Sequence, residues 1–518
     1  MLSVVVVSFS SCKKYLDINT NPNSLTTATP ALILPQAITG AAAISNAFNI
    51  SFSDFAGFQA NAGGFGGFGA VVTYDFANGT GSGLWTGTYD NANDFQYVIE
   101  NTSGNASLAY STGIARIMKS FAFERLVNQY NEVPYSDALK GTLSLTPKYD
   151  KGEDVYKACI AELTKAIIDI TAAQANVATS PVPTTVDPLF RGDMNNWKRF
   201  ANTIKLRMLI KMAGVPAQKS YADAQFVALD KTLGFLTTDA LNQPTYLKTD
   251  RPTPIYSSLG FSATGVVVNT SRIPTRWIFS FYTGSKLTDI WRGPAIYRNY
   301  PNTPINQLGD ESTGVPIALA AGSAWNTGTN TTESMIGVVK GPGQAQPMMI
   351  AAESFFLQAE AYARGYITGD AAAAYNNGVL QSFTYLYKNA SNVVETGKNP
   401  VADVALYFTD NTNSLLANFA LAVSTEQKVE TIITQKYIAL NMINNDEAFN
   451  EFRRTGYPRI VNGSPDALLT FASRQSVSTH PTKLPTRFLY PQEEYNLNPK
   501  NAISGINKFS SLIFWDLN

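Results

Sequence analysis

Apolar residues recur at helical spacing through several stretches of the chain. In GIARIMKSFAFERLVNQY, residues 113–130, Ile114, Ile117, Met118, Phe121 and Leu126 fall broadly on one side, and Pro134 stops the helix just beyond. A second amphipathic stretch, GEDVYKACIAELTKAIIDITAAQ, carries Val155, Cys159, Leu163 and Ile167 at the same spacing, and a third, DMNNWKRFANTIKLRMLIKMAG, closes on Gly214 with Pro216 beyond. MMIAAESFFLQAEAYARGY, GDAAAAYNNGVLQSFTYLY and EQKVETIITQKYIALNMIN add three more, with alanines that allow close helix contact. Consecutive antiparallel pairs with small residues at the seam predict a mainly α fold: tetratricopeptide-like helix-turn-helix pairs forming a scaffold, without a strict repeat length.

Two stretches break this pattern. Residues 237–346 are rich in Pro, Gly, Thr and Asn, too long for a connector, and read as loops and a few short strands inserted in the scaffold, where function commonly resides. Residues 63–91, GGFGGFGAVVTYDFANGTGSGLWTGTYDN, read as a second irregular insertion; no Gly-Lys-Ser/Thr follows the glycines, so they do not form a phosphate cradle.

The chain opens on an apolar run, Met1 to Phe9, too short for the roughly 20 residues of a membrane-spanning helix, and no later uninterrupted apolar run reaches that length. Ser10, Ser11 and Cys12 follow, the order of a secretory h-region and its cleavage site, similar to the lipobox of bacterial lipoproteins, whose cysteine is acylated. Each buried methylene adds ~0.8 kcal/mol of membrane affinity, so two or more acyl chains on Cys12 would hold the protein stably. KKYLDINTNPNSLTTATP then reads as an extended tether. The expected organisation is a signal peptide over 1–11, a lipidated tether over 12–30, and one helical domain over 31–518.

Composition narrows the functional classes. Lys plus Arg and Asp plus Glu each number 39, so the formal charge is zero, and only 15% of residues are charged; nucleic acid is not an expected partner. Aromatics reach 12%, and much of the polarity is uncharged, which suits neutral polar ligands. Of two cysteines, Cys159 lies in a helical apolar stripe and reads as an inert buried thiol. The single histidine, His480, excludes a histidine-rich metal site, and no cofactor or metal is expected.

Specific strings then become recognisable. KKYLDINTNPN after Cys12, FERLVNQYNEVPYSDAL followed by LTPKYD, WKRFANTIKLRML, SFFLQAEAYARGY, QKYIAL, EFRRTGYP and PTRFLYPQEEYNLNPKNA run in order from residue 12 to 502. Together they resemble the SusD/RagB-like family of outer-membrane nutrient-binding lipoproteins, within it the starch- or nutrient-binding branch. The resemblance implies a helical fold and a lipid-anchored place on the outer membrane, facing the cell exterior. It also implies partnership with a SusC-like TonB-dependent transporter, over which the lipoprotein closes as a lid to deliver an oligosaccharide or sometimes a peptide. No catalysis is implied.

The family's ligand contacts vary with substrate, so candidates come from residue chemistry. A sugar's C–H face stacks on aromatic rings while its hydroxyls seek amides and charged groups. Trp85 and Tyr89, with Asn91, meet this description in the first insertion; Trp277, Trp291 and Tyr297 do so in the second, with Tyr282, Tyr300, Trp325, Arg292 and Asn299 nearby. In EFRRTGYP, Arg453 and Arg454 read as structural, pairing with Glu353 or Glu360 of the apolar helix AAESFFLQAEAYA. A glycoside hydrolase with two carboxylates, a structural adhesin and a peptide-binding member of the same uptake system stand as alternatives.

Overall fold

The computed structural model describes residues 29–63, 65, 68–310 and 323–517; the expected signal peptide, Cys12 and nearly all of the tether lie outside the described residues. The longer helices are α1 Pro30–Phe52, α2 Ser82–Thr102, α3 Ala109–Tyr130, α4 Gly152–Gln174, α5 Met194–Ala213 and α6 Lys219–Val227. After the central irregular territory come α7 Ala351–Ala363, α8 Ala371–Tyr387, α9 Pro400–Asp410, α10 Thr425–Leu440 and α11 Asn445–Thr455. Their ends follow local chemistry. Asp193 caps α5 by accepting from the Asn195 and Asn196 amides, Ser424 and Gln427 form a capping box on α10, and Gly456 ends α11 in the left-handed conformation.

Neighbouring helices pack in sequence, α1 on α2, α2 on α3, α3 on α4 and α7 on α8. Glycine sets the closeness of two of these seams. A Cβ on Gly113 would stand 2.6 Å from the Ile170 side chain, and one on Gly378 would stand 2.7 Å from the Phe356 ring. Helix α1 is long and apolar enough to cross a membrane, yet it belongs to the core. Its Asn49 donates to the Met442 carbonyl at 3.0 Å and accepts from the Asn445 amide at 3.0 Å, bonds that only the folded interior supplies.

Buried charge stitches these helices together. Arg207 on α5 forks onto Glu124 of α3, with bonds of 2.9 and 2.5 Å, and reaches Glu353 of α7 at 2.7 Å. Lys211 pairs with Glu447 of α11 at 2.8 Å, and Lys436 of α10 pairs with Glu451 at 2.9 Å. Burial opposes charge at Glu447, but Lys211, Arg207 and Lys436 hold its carboxyl well below the ordinary range. Arg454 bonds both oxygens of Glu360, at 2.8 and 2.6 Å, and also Glu451. Arg453 turns elsewhere, donating to the Asn128 carbonyl at 2.7 Å and to Asn450 at 2.6 Å. Cys159 sits in the α4 stripe with its thiol pushed up to about 12 by burial.

Among the described residues, short strands pair at two places. β1 Gln59–Asn61 and β3 Arg272–Pro274 run antiparallel, as do β2 Ala240–Asn242 and β4 Gln346–Met349. The stretch 63–91, which composition alone makes irregular, is helical from Ser82 onward. There Leu84, Trp85, Thr88, Ala92, Phe95 and Val98 are buried at helical spacing, a stripe that starts inside a Gly- and Thr-rich string and is hidden by it.

Candidate functional site

The β1–β3 pairing brings the start of the first insertion against the second. Asn61 at the end of β1 accepts from the Gly63 amide at 2.8 Å and donates to the Phe65 carbonyl at 2.8 Å. Asn306 donates to the Asn61 carbonyl at 2.9 Å. Arg272 on β3 bonds the buried Asp54 carboxylate at 3.1 to 3.3 Å and lays its guanidinium 4.6 Å from the centre of the Phe68 ring. Burial pushes the Asp54 carboxyl up, and Arg272 opposes that shift.

A third segment completes the face. The Arg474 amide donates to the Leu308 carbonyl at 3.0 Å, the Gln475 side chain to the Gly309 carbonyl at 2.7 Å, and the Val477 amide to the Thr73 carbonyl at 3.0 Å. Residues far apart in sequence, 54–63, 68–76, 272–310 and 466–477, are thus held together. Between the last two of these segments lies a cleft of about 310 Å³ lined by Arg276, Thr283, Ser285, Ile305, Asp466 and Arg474 among others. Arg474 Nε lies 3.2 Å from Asp310, and Arg276 approaches the same carboxylate to 3.9 Å. Hydroxyls, guanidinium groups and an apolar edge on loops held by a rigid scaffold suit a polar, hydroxyl-rich ligand.

The family follows from the sequence as a whole: the model of the SusD-like family described as starch-binding and associating with the outer membrane matches residues 22–491. The chain belongs to the SusD-like family. No curated protein matches the sequence. Solved structures share the fold. A SusD-like protein from Bacteroides thetaiotaomicron is 20% identical with a TM-score of 0.70, the match covering 94% of this chain and 99% of that one. A SusD homolog from Bacteroides uniformis is 23% identical with a TM-score of 0.68 over the same shares. A chitin-binding SusD homolog from Flavobacterium johnsoniae is 20% identical with a TM-score of 0.66, covering 93% of this chain and 99% of that one.

Against this SusD-like frame, most of the aromatic candidates are interior residues. Trp277 is fully buried, donates from Nε1 to the Tyr437 hydroxyl at 3.1 Å, and carries the Lys286 ammonium 3.8 Å above its ring. Burial against that ring pushes Lys286 down to about 8. Tyr282 and Tyr297 are buried beside Asn441, whose amide donates to both hydroxyls, and Trp325 is buried as well. Arg292 is buried between Phe383 and Tyr407 and pairs with Asp289 at 2.5 Å. The physical reason is common to all: a large ring on a short helix or tight loop fills the gap between loop and scaffold before it reaches solvent.

Trp85 is buried on α2 among Tyr89, Tyr130, Tyr149 and Tyr490, and donates to Glu494 at 3.3 Å. Asn91 is buried too, holding α1 through the Ala37 carbonyl at 2.9 Å. Trp85 and Trp277 fall in separate aromatic clusters. Trp291, Tyr89 and Tyr300 are half-buried, and Asn299 is exposed. Sequence reasoning missed Arg276, Asp310 and Arg474, because nothing in their local strings links positions almost two hundred residues apart. The Pro-bounded SRIPTRW string is the one local sign, marking a short strand and the turn that follows it.

Proposed function

We infer that the protein is a lipid-anchored outer-membrane protein facing the cell exterior. It binds an oligosaccharide and delivers it to a SusC-like TonB-dependent transporter, over which it closes as a lid. The observation that carries this reading is the loop-built cleft between the second insertion and residues 466–474, in a chain of the SusD-like starch-binding family. The chitin-binding homolog of the same fold supports an oligosaccharide ligand. Cys12, followed by a tether, supports the anchor. The protein binds its ligand without chemical change. Trp291 and Tyr300, half-buried in the second insertion, and Tyr89, half-buried on α2, are the aromatic candidates with exposed surface for stacking.

The test is made with the full chain in its native membrane. Solubilised outer membranes should yield the protein together with a large β-barrel, and Cys12→Ala should release it from the membrane fraction. Calorimetry against a panel of oligosaccharides should find a ligand that is bound and recovered intact. A protein that purifies without a barrel and binds no oligosaccharide would sink the proposal, and release of shortened sugar would convert it to a hydrolase.

A further inference from the structure

We propose that the ligand taken at this cleft carries a carboxylate, as a uronate-containing oligosaccharide does. The proposal rests on the oligosaccharide reading above and narrows it. Arg276 and Arg474 stand on the cleft wall with side chains 44% and 40% exposed, while Asp310 behind them is 7% exposed. That one carboxylate lies 3.2 Å from Arg474 and 3.9 Å from Arg276, the latter beyond hydrogen-bonding distance. A single buried carboxylate does not satisfy two guanidinium groups with five N–H donors each.

Lys286 adds a third positive charge beside the cleft, donating its ammonium to the carbonyl of the lining residue Leu468. Asp466 is the second carboxylate there, its Oδ1 taken up by the Leu468 amide at 2.8 Å. Among the described residues, three cations against two carboxylates leave one net positive charge, in a chain whose total charge is zero. An exposed guanidinium fork matches a planar carboxylate through two parallel hydrogen bonds, a geometry that a neutral sugar hydroxyl does not use. Thr283 and Ser285 supply hydroxyls for the remaining ring hydroxyls, and Ile305 and the half-exposed Leu468 supply an apolar edge for ring C–H groups.

The experiment is calorimetry on the full chain with oligogalacturonate and oligomannuronate, set against fully methyl-esterified oligogalacturonate, chito-oligosaccharides, sulfated oligosaccharides and acidic peptides. A uronate should bind, and esterification should weaken it by about tenfold or more, as should Arg276→Gln or Arg474→Gln. Added salt should weaken it as well. Asp466→Asn keeps the bond to the Leu468 amide and removes a negative charge, so it should tighten uronate binding by about threefold. Arg276 has an exposed side chain, so its variant should melt with the wild type and report on binding alone. Equal binding of acid and ester, unchanged affinity in both arginine variants, or binding of a sulfated sugar or acidic peptide while no uronate binds would each overturn the proposal. Binding of neutral oligosaccharides alone overturns it and leaves the oligosaccharide function standing; binding of no oligosaccharide overturns both.

Discussion

Burial decides what single residues do here. Trp277 has no face toward solvent and is tied to Tyr437, so Trp277→Ala should cost about 3–5 kcal/mol of stability through the cavity it leaves. Chemical denaturation of the variant checks this, and a ligand affinity that falls without loss of stability would contradict it. Arg207 illustrates the opposite case, a charge that is safe only because it is paired. Although burial disfavours its charge, Glu124 and Glu353 push the guanidinium well above its ordinary value. Arg207→Ala takes the guanidinium from two buried carboxylates and should cost about 3–5 kcal/mol, whereas Arg116→Ala, whose partner Glu162 is 27% exposed, should cost far less. Comparing the two by denaturant midpoint separates a buried from a half-exposed ion pair.

At the scale of elements, the seams depend on missing side chains as much as on those present. Helices α7 and α8 approach so closely at Gly378 that a Cβ would meet the Phe356 ring at 2.7 Å. Gly378→Val should therefore separate the pair and lower stability by about 1–3 kcal/mol, despite the better helix propensity of valine. A thermal melt that shifts upward would show that propensity outweighs packing there. The β1–β3 ribbon, three residues per strand, is too short to stand alone. The Asp54–Arg272 pair and the Asn306 bond to Asn61 hold it, so the junction between these segments depends on contacts from residues more than two hundred positions apart.

Across the whole molecule, the buried ion pairs link α3, α5, α7, α10 and α11 into one body and make its stability depend on pH. Burial disfavours charge on Glu360, but Arg454 and Arg364 hold its carboxyl down to about 2, against 4.5 when unfolded. The folded state binds fewer protons than the unfolded one between these values, so this stabilisation is complete above pH 4.5 and is lost as pH falls toward 2. Glu447 acts in the same direction. Melting temperature measured from pH 7 to 2 should fall steeply below 4.5 in the wild type; Glu360→Gln should start lower at pH 7 and converge with it near pH 2. Parallel curves would show that Glu360 does not contribute.

What could be read from the linear chain was whatever depends on near neighbours. Helices such as α4, α5 and α10 announce themselves because one face of each must be apolar, and α5 and α10 also carry capping residues at their starts. The family was legible for a related reason: its strings hold the buried charges and turns that the scaffold requires in order. Helices α1 and α2 were obscured, since Asn49 and Asn91 look like surface residues until the Met442 and Ala37 carbonyls that satisfy them are in place. Which aromatics face solvent, and that Arg276, Asp310 and Arg474 meet, was decided only by the tertiary structure. Exposure and convergence are properties of packing between distant segments, and local sequence carries no record of the partner.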